Sequence, residues 1–363
     1  MKSVASALWA RVADVVGLVA TPLSPSHYVE LLRPLSASHT LQARVEAVTT
    51  ETPHVVTLTL RPGRGWRRHL PGQHLRVSIA IGGRIATRTY SISSSPDRTD
   101  GCIAITVKAQ GRVSNALARN VVPGTYLTIG LPEGDFVMPA DGPGLFITGG
   151  SGITPVISML RTYAARGVMP DVAHVHFART MGDVIAGAEL RALAAVHPTY
   201  RLHLVVTAQD ASHRLRDVAT AHDPRRLSRE SLAALVPDWQ TRATWACGPA
   251  SLLDAAAFIP SLHVERFTAA LAAPPAHATG GHVRFGSSRV SAIADGRTPL
   301  LRIAEDAGVS APHGCRMGIC HSCDVTLKAG CVRDLRTGNR INEPGSRIQI
   351  CVCAAAGDVE LAL

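Results

Sequence analysis

The chain has 363 residues, a length that suggests two or three domains. Apolar residues make up 46% and charged residues 18%, which excludes a disordered chain and supplies material for real cores. The formal charge is +10, but no Lys/Arg block is dense enough for a nucleic-acid arm, and no uncharged apolar run is long enough to span a membrane.

Residues 4–20 are apolar but interrupted by Arg11 and Asp14, with only Lys2 basic ahead of them. That pattern does not suit a signal peptide, and a cytoplasmic protein is expected. Leu8, Trp9, Val12, Val15, Val16 and Val19 fall near helical spacing. The helix they predict either packs on its own domain or lies on a membrane surface or membrane partner. Three prolines between Pro22 and Pro34 predict an extended connector, so residues 1–40 form one N-terminal segment.

Residues 41–140 read as short strands (ARVEAV, VVTLTL, HLRVSI, CIAITVKA, YLTIGL) separated by Gly and Pro turns, the pattern of an antiparallel barrel or sandwich. From about Gly144 the period changes. GLFITGG, VAHVHFA, YRLHLVVTA and TWACG read as buried strands with helical stretches between them. That alternation predicts a parallel α/β domain over 141–270. Residues 271–281 form an Ala/Pro/Gly linker, and 282–363 a last domain.

Eight cysteines are present, and six of them lie between Cys315 and Cys353, a bunching that suits a metal or cluster site better than disulfides. Cys315, Cys320 and Cys323 stand as C-x4-C-x2-C, and Cys351 or Cys353 supplies a fourth thiolate. This is the spacing of a plant-type [2Fe–2S] cluster. A zinc site would favour paired C-x2-C knuckles, and only one exists here. Gly314 and Gly318 let the loop turn close to the inorganic sulfurs.

The barrel block contains RTYS. A flavin needs a cation for its pyrophosphate, an aromatic against its chain or ring, and a small donor near the reactive N5. Arg88, Tyr90 and Ser91 supply these from one strand. Farther on, Gly111 and Ser114 open a helix whose N-terminus suits a phosphate, although a simple helix cap would look the same. In the α/β block, Gly149, Gly150 and Gly152 form a strand–turn–helix junction with Thr154 and Pro155 in the first turn. The G-x-G-x-x-G fingerprint is not met, but the turn still admits a pyrophosphate. Arg179 follows the second strand, where a cation suits the 2′-phosphate of NADPH. A solvated surface arginine is the plain alternative, and NADH stays possible. Cys247, Gly248 and Pro249 end a further strand.

RTYS, GRVS, GGSGITP, CGP and ERF, in that order, resemble the ferredoxin–NADP⁺ reductase superfamily. GCRMGICHSC with CVCAAAGDVEL resembles a fused plant-type ferredoxin domain. The resemblance implies a Greek-key FAD barrel, a parallel α/β nicotinamide domain and a β-grasp [2Fe–2S] domain. It places Arg88 on the FAD pyrophosphate, Tyr90 against the flavin and Ser91 near N5. Gly111 and Ser114 would bind an FAD phosphate, which also favours FAD over FMN. Gly149 to Pro155 would bind the nicotinamide nucleotide, with Cys247 beside its ring. Glu265 and Phe267 would lie at the flavin edge. The closing strand makes Cys351 the fourth ligand, with Cys331 as a bystander and Cys353 as an extra thiol on the same strand face that could tune the cluster.

The N-terminal TPLSPSHYVELLRPLSASH and VRDLRTG also resemble actinobacterial reductases that serve acyl-CoA desaturases. The expectation is therefore electron flow from NADPH through FAD and [2Fe–2S] to a membrane di-iron desaturase. The alternative acceptor is a Rieske-type or other hydroxylating oxygenase. A cluster-based redox sensor would not be expected to carry RTYS, GGSGITP and CGP together. Twelve Lys/Arg against six Asp/Glu over 41–140 give a basic face, suited to an acidic partner or anionic lipid, or serving solubility alone.

Overall fold

The computed structural model describes residues 34–36, 40–137, 142–208, 225–267, 278–313, 316–318 and 321–363. The expected N-terminal helix and its connector, and most of the linker, lie outside them. Among the described residues no helix is long and apolar enough to cross a membrane.

The first domain holds β1 (Gln42–Thr52), β2 (Val55–Pro62), β3 (His74–Ile81), β4 (Arg84–Ser91), β5 (Ile103–Lys108), α1 (Arg112–Asn120) and β6 (Tyr126–Ile129). The strands are antiparallel in the order β4-β3-β6-β1-β2-β5. Alternating residues turn inward, so Ala43 and Val45, Leu58 and Leu60, and Leu75 and Val77 share one core. A bridge between Ile92 and Ile105 joins the two ends of the sheet and closes it into the expected barrel.

The second domain runs β7 (Gly144–Gly149), α2 (Thr154–Ala165), β8 (Val172–Ala178), α3 (Gly187–Val196), β9 (Tyr200–Val206), α4 (Arg229–Leu235), β10 (Ala243–Cys247), α5 (Ala250–Ala255) and β11 (Leu262–Glu265). All pairings are parallel, in the order β11-β10-β7-β8-β9. Every residue of β7 and β8 is buried, because the two faces of the sheet carry separate apolar cores. The chain departs from β7 toward β8 on one side and returns through β10 on the other. The crevice at the carboxyl ends of β7 and β10 is therefore the expected ligand position for such a sheet.

Two polar assemblies hold this domain. Behind the glycine turn, the Thr148 hydroxyl lies 2.7 Å from both His174 Nε2 and His176 Nδ1, and His174 Nδ1 lies 2.8 Å from the Tyr200 hydroxyl. Burial holds both imidazoles neutral, with His176 pushed down to about 4. At the opposite end, buried Arg242 donates to the carboxylates of Asp238 at 2.7 Å and Asp171 at 2.8 Å. It also donates to the carbonyls of Gly144 and Asp171, tying β7, β8 and β10 together. Arg242→Ala is expected to cost about 2 kcal/mol, through charged hydrogen bonds lost and carbonyls left unpaired. A chemical-denaturation midpoint unchanged from wild type would show that this clamp contributes nothing.

The third domain holds β12 (Gly281–Phe285), β13 (Val290–Ala294), α6 (Leu300–Asp306), β14 (Asp324–Asp334), β15 (Arg340–Ile341), β16 (Arg347–Gln349) and β17 (Cys353–Leu361). Its sheet runs β13-β12-β17-β14-β15, with β12 and β17 parallel at the centre and β16 paired to β14. Leu300, Leu301 and Ala304 lay α6 across the sheet core. This mixed sheet gripping one helix is the expected β-grasp arrangement.

Candidate active site

The barrel brings His74 and Ser91 opposite each other at the open end of the β3–β4 pair. The parallel sheet brings Cys247 and Glu265 into register at the ends of β10 and β11. These two ends meet. Glu265 Oε1 lies 3.2 Å from His74 Nδ1, and Ser91 donates to Glu265 Oε2 at 3.5 Å. The Cys247 Sγ is 4.0 Å from the same oxygen. Sequence reasoning named Ser91, Cys247 and Glu265, and the structure brings all three together. It missed His74, whose only sequence signal is its position three residues after Pro71 at a strand start.

Burial pushes the Glu265 carboxyl above the usual carboxylate range, opposed by its bond to His74. Burial, with Glu265 beside it, drives the Cys247 thiol well up, so it is a neutral group rather than a nucleophile. Tyr90 and Arg88 project from the other face of β4. Burial pushes Tyr90 up to about 12 and leaves its ring packed against the barrel core. The Arg88 guanidinium donates to the Thr87 carbonyl at 2.8 Å and, among the described residues, has no carboxylate in salt-bridge range. A partly buried cation without a counter-ion fits an anionic cofactor group. Ser114 accepts from the amides of Gly111 and Gln110 and donates to the Gly111 carbonyl. Its hydroxyl thus caps α1, and its reach toward a phosphate is not visible in these bonds. Phe267 stands exposed just beyond β11.

The nucleotide crevice is a cleft of about 850 Å³ between the barrel and the α/β domain. Gly149, Gly150, Ser151, Pro249 and Arg179 line it, together with Lys108, Arg225 and Arg226, which sequence reasoning did not single out. The glycines divide by role. A Cβ on Gly152 would sit 2.1 Å from the Cys247 carbonyl, and one on Gly149 would meet Pro249 and Leu252 at 2.9 Å. A Cβ on Gly248 would sit 3.0 Å from the Gly149 amide nitrogen. These three glycines let the two strand-end turns interlock. Gly150, at φ +53 with open space around it, faces the ligand side. Thr154 and Pro155 are buried in the first turn of α2, where the Thr154 hydroxyl bonds the Ser151 carbonyl; they shape the turn without lining the cleft. Arg179 is largely exposed and lies 3.7 Å from Asp183.

In the third domain, Cys323 and Cys351 are buried and their sulfurs approach to 3.2 Å. Two thiols this close suit a shared iron–sulfur centre. Cys315 and Cys320 lie outside the described residues. Around them the loop turns through left-handed backbone at Arg316, Gly318 and His321, and Arg336 bonds the Gly318 carbonyl at 2.7 Å. Cys353 lies inside the β17 ladder opposite Asp334, and Cys331 sits at half exposure beside Arg340.

Residues 44–138 match an oxidoreductase FAD-binding domain, 146–257 an oxidoreductase NAD-binding domain, and 284–356 a 2Fe-2S iron-sulfur cluster binding domain. An NADPH oxidoreductase of Mycobacterium tuberculosis is 42% identical over 97% of this chain and 92% of its own. The chain belongs to the ferredoxin–NADP⁺ reductase family. This reductase is also 31% identical, over 81% of its length and 86% of the relative's, to the glycine betaine monooxygenase reductase subunit of Chromohalobacter salexigens. The ferredoxin reductase component of 3-ketosteroid-9-alpha-monooxygenase from M. tuberculosis is 31% identical over 80% of this chain and 86% of that one. The solved phthalate dioxygenase reductase shares its fold, with a TM-score of 0.60 at 22% identity, over 90% of this reductase and 98% of that chain. The reductase is therefore an NAD(P)H-dependent oxidoreductase using FAD and a [2Fe–2S] cluster.

Proposed function

We propose that this reductase draws electrons from NADPH and delivers them to a separate hydroxylating oxygenase of the Rieske type. Several relatives that name a terminal partner name a monooxygenase, which supports that acceptor. The desaturase expectation draws no support from them, and most of the N-terminal stretch that suggested it lies outside the described residues. The observation that carries the reading is the convergence of Ser91, Cys247, Glu265 and His74 where the barrel meets the nucleotide cleft.

When bound, FAD accepts a two-electron hydride and releases electrons singly, so it joins the nicotinamide to the one-electron cluster. The chain's own residues set the geometry for this. Arg88 would hold the pyrophosphate, and Tyr90 would pack against the flavin. The Ser91 hydroxyl orients toward the reacting edge while Glu265, itself steadied by His74, keeps or yields a proton at its carboxyl. Cys247, uncharged and fixed at the end of β10, shapes the nicotinamide side and leaves room for ring stacking. The interlocked turns at Gly149 and Gly248 set the depth of the cleft. Cys315, Cys320, Cys323 and Cys351 would hold the cluster.

Lys108, Arg179, Arg225 and Arg226 give the far end of the cleft a surplus of positive charge, with Asp183 as the acid there. That surplus suits a 2′-phosphate. Arg226→Ala and Arg179→Ala are each expected to raise the KM for NADPH roughly tenfold, the value of one charged contact, and leave that for NADH unchanged. Anaerobic mixing of the holoprotein with each nucleotide tests the whole reading. Flavin bleaching by NADPH, followed by cluster reduction and turnover of an added oxygenase, is expected. Equal rates with NADH would refute the nucleotide preference, and no bleaching with either would refute the reductase.

A further inference from the structure

Helix α2 is buried from Thr154 to Leu160 without a break, so it has no solvent face there. The parallel sheet covers one side through Val156, Ile157 and Leu160, and the barrel covers the other. The barrel contact is polar. Ser158 Oγ donates to the Ser94 carbonyl and Arg161 Nη1 to the Ser93 carbonyl, each at 2.7 Å. From within the barrel, His69 Nε2 donates to the same Ser94 carbonyl at 3.1 Å. Arg166, just past the helix, pairs with Asp97 at 2.6 Å. These contacts hold the chain that leaves Ser91. The Arg161 guanidinium is itself fixed, because its Nε and Nη2 donate to the two oxygens of Glu189 on α3 at 2.8 and 2.7 Å. Both helices also start at the nucleotide cleft: α2 follows the glycine turn, and α3 follows Asp183 and Ile185 of the cleft wall. One guanidinium therefore joins two walls of the cleft to the carbonyl two positions beyond Ser91.

We propose that Arg161 is a positioning residue for hydride transfer, which sets the Ser91 hydroxyl against the nucleotide cleft. This rests on the reading that Ser91 orients toward the reacting edge of the flavin. Ser93 is buried, so its carbonyl needs a donor, and Arg161 supplies a charged one across the domain boundary. A single carbonyl could be satisfied by any small donor. The planar fork does more, because it fixes angle as well as distance among α2, α3 and the barrel. Residue 93 in turn is stitched into the barrel, where its amide donates to the Ala104 carbonyl at 2.8 Å. The segment cannot follow α2 without carrying the end of β4 along. A displacement of about 1 Å between reacting groups can cost a hundredfold in rate, so a rigid link at this place has a use that stability alone does not require.

The test uses the FAD-loaded full chain, mixed anaerobically with NADPH over a range of concentrations. Arg161→Met is expected to slow the limiting rate of flavin reduction about tenfold and to leave the half-saturating NADPH concentration within about twofold. Arg161→Lys, which keeps the charge and a donor, should recover part of the rate. The deciding measurement is the double variant. In a Ser91→Ala background, Arg161→Met should slow the step by less than about twofold more, because the group it positions is gone. Equal slowing with and without the Ser91 hydroxyl overturns the proposal, since a loosened fold would do the same. Arg166→Met breaks only the contact to the Asp97 side chain and should reduce at the wild-type rate; a loss there as large as in Arg161→Met also overturns it. Hydrogen exchange, with and without FAD, gives a second readout. Arg161→Met should speed exchange over residues 92–98 about tenfold and leave β7 and β8 unchanged, and no local change would refute the link. If Arg161→Met does not fold, Glu189→Gln frees the guanidinium more gently and should cost about threefold, the scale of one part-exposed ion pair, with the same dependence on Ser91. A slow Ser91→Ala beside an unimpaired Arg161→Met defeats the proposal alone. A Ser91→Ala variant as fast as wild type defeats the reading of Ser91 and this proposal with it.

Discussion

Cys351→Ser is expected to remove the iron–sulfur signature from the visible and paramagnetic spectra and to lower reduction of the oxygenase roughly 100-fold or more, since a lost thiolate ligand opens the centre. Reduction of ferricyanide directly from the flavin should stay within about twofold, because the barrel and cleft are untouched. Cys353→Ser is the control. Its side chain belongs to a strand ladder opposite Asp334, whereas Cys351 lies in the turn before that strand with its sulfur 3.2 Å from Cys323. Loss of the cluster in Cys353→Ser with retention in Cys351→Ser would reverse the assignment. Cys323→Ser should behave as Cys351→Ser does, and chelation of the cluster from wild type should give the same split between the two acceptors.

The cluster was legible because Cys315, Cys320 and Cys323 follow one another closely along the chain; the fourth ligand, expected 28 positions beyond Cys323, was chosen by the resemblance and not by spacing. The barrel and the parallel sheet were legible for a similar reason, since inward alternation and buried runs are local patterns. Other features depended on distance. His74 and Glu265 are 191 positions apart, and no pattern in PGQH announces a partner at the end of β11. Strand β11 itself was not foreseen: four residues, none fully buried, gain their conformation from pairing with β10 rather than from their own sequence. The glycines were read as close approaches to a pyrophosphate, whereas the closeness at Gly149 and Gly152 is between two turns of the protein. Arg226 belongs to none of the motifs quoted from the sequence. Only the folded cleft places it beside Lys108 and Arg179.

At the meeting point of the barrel and the parallel sheet, Ser91→Ala is expected to slow flavin reduction by NADPH about 100-fold while leaving nucleotide binding nearly intact, as for removal of one preorganised donor. Glu265→Gln should slow the same step by about tenfold, a more modest loss typical of proton handling, and should raise the melting midpoint at neutral pH by a few degrees. The two effects have one cause. Burial raises the Glu265 carboxyl, so the folded protein keeps that proton at pH values where the unfolded chain has released it. In that window the folded state binds more protons than the unfolded state, and stability falls as pH rises. The glutamine carries no such penalty. The gap in melting midpoint between variant and wild type should therefore close below the ordinary glutamate range and open as pH climbs through the raised one. A gap independent of pH would mean that the gain came from packing and that the carboxyl is not strained. A gap that opens while the rate is unchanged would mean that Glu265 is buried at a cost the reaction does not use. Both measurements moving together would mark a carboxyl kept at the flavin edge against its own solvation because the electron transfer needs it there.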